Sequence, residues 1–125
     1  MDYRVEKNMT FIATHFHQQI SLKDIAESVN LSSWHLCHLF KAETGTSIKQ
    51  YIIELRMQTV CKLLETTFLS IKETMDQAGI RDKSHFARAF KKNHGVTPSQ
   101  YRVNYLCALS AKETISNTKA SSANK

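Results

Sequence analysis

Apolar residues recur along this chain at the spacing of helix faces, and the polar residues between them mark where one helix stops and the next begins. Over Tyr3 to His17, Val5, Met9, Ile12 and Phe16 return every three or four positions, which predicts a packing helix with one buried face. A shorter helix follows over Leu22 to Val29, with Leu22, Ile25, Ala26 and Val29 inward. Ser21 caps it, and Asp24, three residues on, is placed to return a bond to the cap's backbone N–H. Asn30, which tolerates positive φ, ends it, and the small Ala26 lets the next helix come close. That next helix runs from a Ser32 cap to about Thr44 and closes at Gly45, with Leu36, Leu39 and Phe40 buried. Its other face carries Trp34, Cys37, His38 and Lys41, and a tryptophan turned away from a core needs something to cover it.

Ser47 caps a long helix to about Glu65, with Ile48, Ile52, Leu55, Val60, Leu63 and Leu64 as its stripe. At roughly eighteen residues it would span about 27 Å. After a short loop, Thr66 to Leu69, the segment Ser70-Ile71-Lys72-Glu73 forms a full capping box for a helix that ends at Gly79. Asp82 caps the following helix, which buries Phe86, Ala89 and Phe90 and displays Lys83, Ser84, Ala87, Arg88 and Lys91 before Gly95 closes it. Thr97 as cap and Pro98 in the first turn open a last helix. From about Ala108 periodicity is lost, and a frayed tail is expected.

The middle of the chain is written twice. Ser21, Lys23 and Asp24 match Ser70, Lys72 and Glu73, while Phe40, Gly45 and Tyr51 match Phe90, Gly95 and Tyr101, with one residue inserted in the second copy before Phe86. A repeat of this length is one supersecondary unit used twice. Asn30 and Gly79 are separate choices of a turn residue at matched places, so each unit is a helix, a sharp turn and a crossing helix, a helix-turn-helix. The expected fold is therefore all-α, with about seven helices. Its boundaries are a packing helix and first unit over 1–46, a linker helix over 47–65, a second unit over 66–105 and a flexible tail over 106–125.

Composition narrows the function. The 125 residues include only 3 Gly and 1 Pro, which favours helices and leaves no room for a separate effector-binding domain. Lys and Arg number 17 against 11 Asp and Glu, and the excess is concentrated: Arg81, Lys83, Arg88, Lys91, Lys92 and Arg102 face the single acid Asp82. Such density points to a polyanionic partner. Cys37, Cys61 and Cys107 fit no zinc spacing and suit reduced thiols in a cytoplasm; no signal peptide is expected, and no stretch approaches membrane-spanning length. His35, Cys37 and His38 diverge around their helix, as neighbours about 100° apart must, so no metal site is expected. No catalytic grouping or phosphate-binding glycine loop is apparent, so neither enzyme activity nor a cofactor is expected.

The run Gly79-x5-His85-Phe86-x-Arg88-x-Phe90-Lys91-x3-Gly95-x2-Pro98-x2-Tyr101-Arg102, with Leu36-x2-Leu39-Phe40-Lys41-x3-Gly45, Arg56 and Leu64, resembles the DNA-binding domain of the AraC/XylS family of bacterial transcription regulators. The resemblance covers about Ile20 to Arg102. It implies a sequence-specific regulator that reads two adjacent major grooves of double-stranded DNA with two recognition helices, at a site without palindromic symmetry. The base-contacting residues it implies are Trp34, Cys37 and His38 in the first unit and Lys83, Ser84 and Arg88 in the second, with Arg88 the best reader of guanine. Phosphates would meet Lys41, Arg81, Lys91, Lys92 and Arg102, and the helix starts capped by Ser21, Ser47, Ser70 and Thr97. Arg56 suits an internal role and a DNA contact equally. Thr74-Met75 stands where the family usually carries Ile-Ala, and Ile80 where it carries Phe, so the second unit is expected to pack less tightly than the first.

Double-stranded DNA is thus the expected partner, with RNA polymerase a second candidate and no membrane, and a stand-alone chain would bind as a monomer in the bacterial cytoplasm. Two alternatives stay open: a protein-interaction module that reads no DNA, and the DNA-binding end of a longer effector-responsive regulator.

Overall fold

The computed structural model describes the backbone of residues 2–123 and the side chains of residues 2–111. Seven helices follow one another among the described residues: α1 Tyr3–His15, α2 Leu22–Glu27, α3 Ser33–Thr44, α4 Ile48–Thr66, α5 Ile71–Gln77, α6 Lys83–His94 and α7 Pro98–Ala123. Each expected cap is in place. The side chains of Ser21, Ser32, Ser47, Ser70, Asp82 and Thr97 accept the backbone N–H three residues on, at 2.9–3.2 Å. The return bond is present only in the second unit, where the Ser70 N–H donates to Glu73 Oε1 at 3.2 Å. Asp24 makes no such bond to Ser21, because a carboxylate one methylene shorter falls short of the cap. Asn30 (φ 56°) and Gly79 (φ 83°) take the left-handed conformation expected at the two turns.

Two cores hold these helices. Val5, Ile12, Ile25, Ala26, Val29, Leu36, Phe40 and Ile48 form the first, so α1 belongs to the first unit. Met57, Val60, Leu64, Met75, Ala78, Ile80, Phe86 and Phe90 form the second. α4 supplies Ile48 to the first core and Met57, Val60 and Leu64 to the second, so it is divided between the two units and does not merely space them. Removing an aromatic the size of Phe40 or Phe90, both fully buried, from such a core costs about 3–5 kcal/mol.

The first core also encloses a polar residue that periodicity does not flag. Asn8 is fully buried, and its Nδ2 donates to the Ile25 carbonyl of α2 at 3.2 Å.

The residues on which the expectation of looser packing in the second unit rested are all enclosed by its core. Thr74 is fully buried with its hydroxyl satisfied by the Ile71 carbonyl at 2.6 Å, and Met75 and Ile80 are buried as well. The two units differ in the approach of their helices, as looser packing of the second would require: α2 comes close to α3, whereas α5 makes its close approaches to α4. The stretch beyond Ala108, expected as an irregular tail, is helical as far as Ala123. Ala, Leu, Lys and Glu between Leu106 and Glu113 are good helix formers and continue α7 without needing an apolar stripe.

Candidate nucleic-acid interface

α3 and α6 are built alike. Each starts at a capped N-terminus, buries a phenylalanine at its centre (Phe40, Phe90) and ends on a left-handed glycine (Gly45, Gly95), so each turns the same outer face to solvent. On α3 that face presents Trp34, 70% exposed, and His38. The two ring centroids lie 4.0 Å apart, and His38 Nδ1 is 2.8 Å from the Trp34 carbonyl, so Nδ1 donates there and Nε2 of the neutral ring is left as an acceptor. Cys37 is only half exposed and packs against the first core, which leaves it a minor part of the outer surface.

On α6, Ser84 and Arg88 are exposed, and Arg88 makes no hydrogen bond or ion pair with any described residue. Lys83 is different: its Nζ lies 2.6 Å from Asp76 Oδ1 on α5. Lys41, Arg81, Lys91 and Lys92 are exposed and likewise unpaired among the described residues. Between the two units lies an open cleft of about 1060 Å³, with Lys41, Ser47 and Lys49 along one rim and Arg81 and His85 along the other.

Arg102, an expected phosphate ligand, and Arg56, for which an internal role was weighed equally with a DNA contact, both bond to backbone carbonyls within the fold. Arg102 donates from Nε to the Leu64 carbonyl at 3.1 Å and from Nη2 to the Thr67 carbonyl at 3.3 Å, closing the C-terminal end of α4. Arg56 does the same for α1 and the loop after it, donating to Phe16 O at 3.1 Å and Gln18 O at 3.2 Å. Burial draws the Arg56 guanidinium below its ordinary pKa by stripping water from the charged form. Both arginines satisfy carbonyls that a helix end leaves without partners.

The helix starts also divide. Asp24 and Glu73 occupy the first turns of α2 and α5 and place negative charge beside Ser21 and Ser70, where a phosphate would be repelled. No acid lies in the first turn of α4 or α7, so the starts at Ser47 and Thr97 keep the positive end of the helix dipole open.

A helix-turn-helix domain family matches residues 25–104. Among curated relatives, the Msm operon regulatory protein of Streptococcus mutans is 37% identical over 91 residues, which is 73% of this chain and 33% of that protein. The arabinose operon regulatory protein of Escherichia coli is 32% identical over 103 residues, 82% of this chain and 35% of that protein. The chain therefore spans about a third of the length of these relatives. Among solved structures, the C-terminal domain of AraT, a response regulator from Geobacillus stearothermophilus, superposes with a TM-score of 0.77 at 34% identity, covering 82% of this chain and 86% of that one. The DNA-binding domain of AdpA, solved in complex with a target DNA, has the same fold: TM-score 0.80, 23% identity, covering 86% and 96%.

Proposed function

This chain belongs to the AraC/XylS family of helix-turn-helix regulators, and from that membership we propose that it binds double-stranded DNA as a monomer through α3 and α6 in successive major grooves. The observation that carries the reading is the outer face of α6 and the turn before it, where an exposed Arg88 is flanked by the cations Arg81, Lys91 and Lys92, all four unpaired among the described residues. A guanidinium so placed bonds guanine O6 and N7 together, and the flanking ammonium groups meet phosphates without reading sequence. Lys83 and Ser84 extend the reading surface of α6. On α3, Trp34 offers apolar contact to a thymine methyl, and His38 offers Nε2 to a base edge; Cys37 contributes little.

Phosphates are met by Lys41, Arg81, Lys91 and Lys92 and by the open helix starts at Ser47 and Thr97. The cleft between the units accommodates the backbone that passes from one groove to the next, and its rim cations Lys41 and Arg81 hold that backbone from either side. Grooves on one face of straight DNA repeat about every 34 Å, so units held closer than that bend the duplex at about 1–6 kcal/mol. Promoter regulation through contacts with RNA polymerase belongs to the same reading.

Selection from a random duplex pool, followed by anisotropy titrations at several salt concentrations, tests it. The expected result is a bipartite, non-palindromic motif and a log–log salt slope near −5 for about six neutralised phosphates. Equal binding to all duplexes with a shallow slope would instead make the chain a protein-interaction module.

A further inference from the structure

The Asp76–Lys83 pair works against simple attraction of the α6 surface to DNA. Its carboxylate and ammonium lie 2.6 Å apart, and their side chains are 54% and 33% exposed. The only other ion pair among the described residues, Asp2–Arg4, is local to the start of α1. The matched positions in the first unit hold Glu27 and Ser33, which form no such pair, so the pairing is particular to the second unit. Asp76 stands on α5, and the first helix of a helix-turn-helix crosses the DNA backbone, where a carboxylate repels phosphate. An exposed ion pair adds little to stability, so folding alone gives small reason to place an acid there.

We propose that Asp76 is a specificity-determining residue that holds Lys83 as a base reader and keeps it from serving as a phosphate ligand. The inference rests on the DNA-reading function given above. An untethered lysine is a flexible point charge that swings to the nearest phosphate and binds any sequence. Tethered to Asp76, Nζ keeps donors free for a guanine O6 or N7 while one bonds the carboxylate. In a non-specific complex the tethered lysine is already neutralised, so it displaces no counterion and adds little affinity. The second unit thereby gains selectivity by holding down its affinity for the wrong sequence.

The test uses the full chain with Asp76→Asn, Lys83→Gln and the double variant, each titrated against the selected site and an unrelated duplex across a salt series. Asp76→Asn is expected to leave the melting temperature and selected-site affinity near those of the parent. It should tighten unrelated-duplex binding so that the specificity ratio falls about tenfold, and steepen the unrelated-duplex salt slope by about 0.9. In the Lys83→Gln background the same change should leave the ratio unmoved. A selective parent whose ratio is unchanged by Asp76→Asn, or a fall in ratio that persists without Lys83, overturns this inference alone. A parent without sequence preference overturns the reading of the interface and this inference with it.

Discussion

Gln19 donates from Nε2 to the carbonyl oxygen of Gly79 across 2.8 Å, a bond between residues sixty apart that ties the loop after α1 to the turn of the second helix-turn-helix. The same loop is held from the other side, where Arg56 bonds the carbonyls of Phe16 and Gln18. A Cβ added at Gly79 would lie 2.5 Å from the His17 carbonyl oxygen, so the turn and the loop are in direct backbone contact. The separation of the two units is therefore set by this clamp as well as by α4.

Gly79→Ala should destabilise the fold by about 2–4 kcal/mol, since it combines a left-handed φ with an unyielding backbone contact. Gly45 has a similar φ of +79° but nothing within 4 Å of an added Cβ, so Gly45→Ala should cost only about 1–2 kcal/mol. Urea unfolding of the two variants measures the difference, and equal losses would show that the contact with His17 does not constrain the turn.

Loosening the clamp should alter spacing preference more than affinity. Gln19→Ala removes one hydrogen bond, worth about 1 kcal/mol of stability. We expect it to bind the selected site almost as well as the parent, yet to suffer a smaller loss when one base pair is inserted between the two contacted grooves. Arg56→Lys, which keeps charge but not the two-carbonyl fork, should act in the same direction. Anisotropy with the spaced duplexes decides; identical penalties in parent and variants would assign the spacing to α4 alone.

Arg88→Ala should weaken selected-site binding by about 1–3 kcal/mol and relax selection at one guanine. Lys91→Ala should weaken binding to every duplex and flatten the salt slope by about 0.9. His38→Ala is expected to do less than Arg88→Ala, because one His38 ring nitrogen is already committed to the Trp34 carbonyl. Loss of binding in His38→Ala with near-normal Arg88→Ala would transfer the leading role to α3.

Tyr101 provides a pH prediction. Its hydroxyl donates to Glu65 Oε2 at 2.6 Å, and this bond, with burial second, raises the phenol well above its ordinary value of 10.0. A group whose pKa is raised by folding stabilises the fold fully below its unfolded value and loses that contribution as pH climbs toward the folded one. Stability should thus decline above about pH 10, with the decline smaller in Tyr101→Phe. Ultraviolet titration should find one tyrosyl fraction ionising late in the parent and missing from the variant; a parent without a late fraction would mean that the Glu65 bond does not hold in solution.

The helices, their caps and the duplication were legible in the sequence because each depends on residues within a few positions of one another. Ser70 with Glu73, Asn30 and Gly79 at the turns, and Phe40 with Phe90 carry their meaning locally. The roles of the cations were not legible in the same way. Arg102 sits in the family signature beside Tyr101 and looks like a phosphate ligand, yet it closes the end of α4 through Leu64 and Thr67. Asn8 falls next to an apolar stripe and is nonetheless buried against Ile25, which no periodicity announces.

What the sequence determined by itself is a pair of helix-turn-helix units joined by a long linker helix, because hydrophobic period and capping chemistry are short-range. What only the tertiary structure decided is which basic side chains are taken up by other groups of the chain. Arg56 and Arg102 are taken up by helix-end carbonyls thirty-five to forty residues away, and Lys83 by Asp76, while Arg88, Lys91 and Lys92 stay unpaired among the described residues. A basic side chain is captured or left free according to what the packing of other helices brings within about 3 Å, and that proximity has no local pattern in the chain.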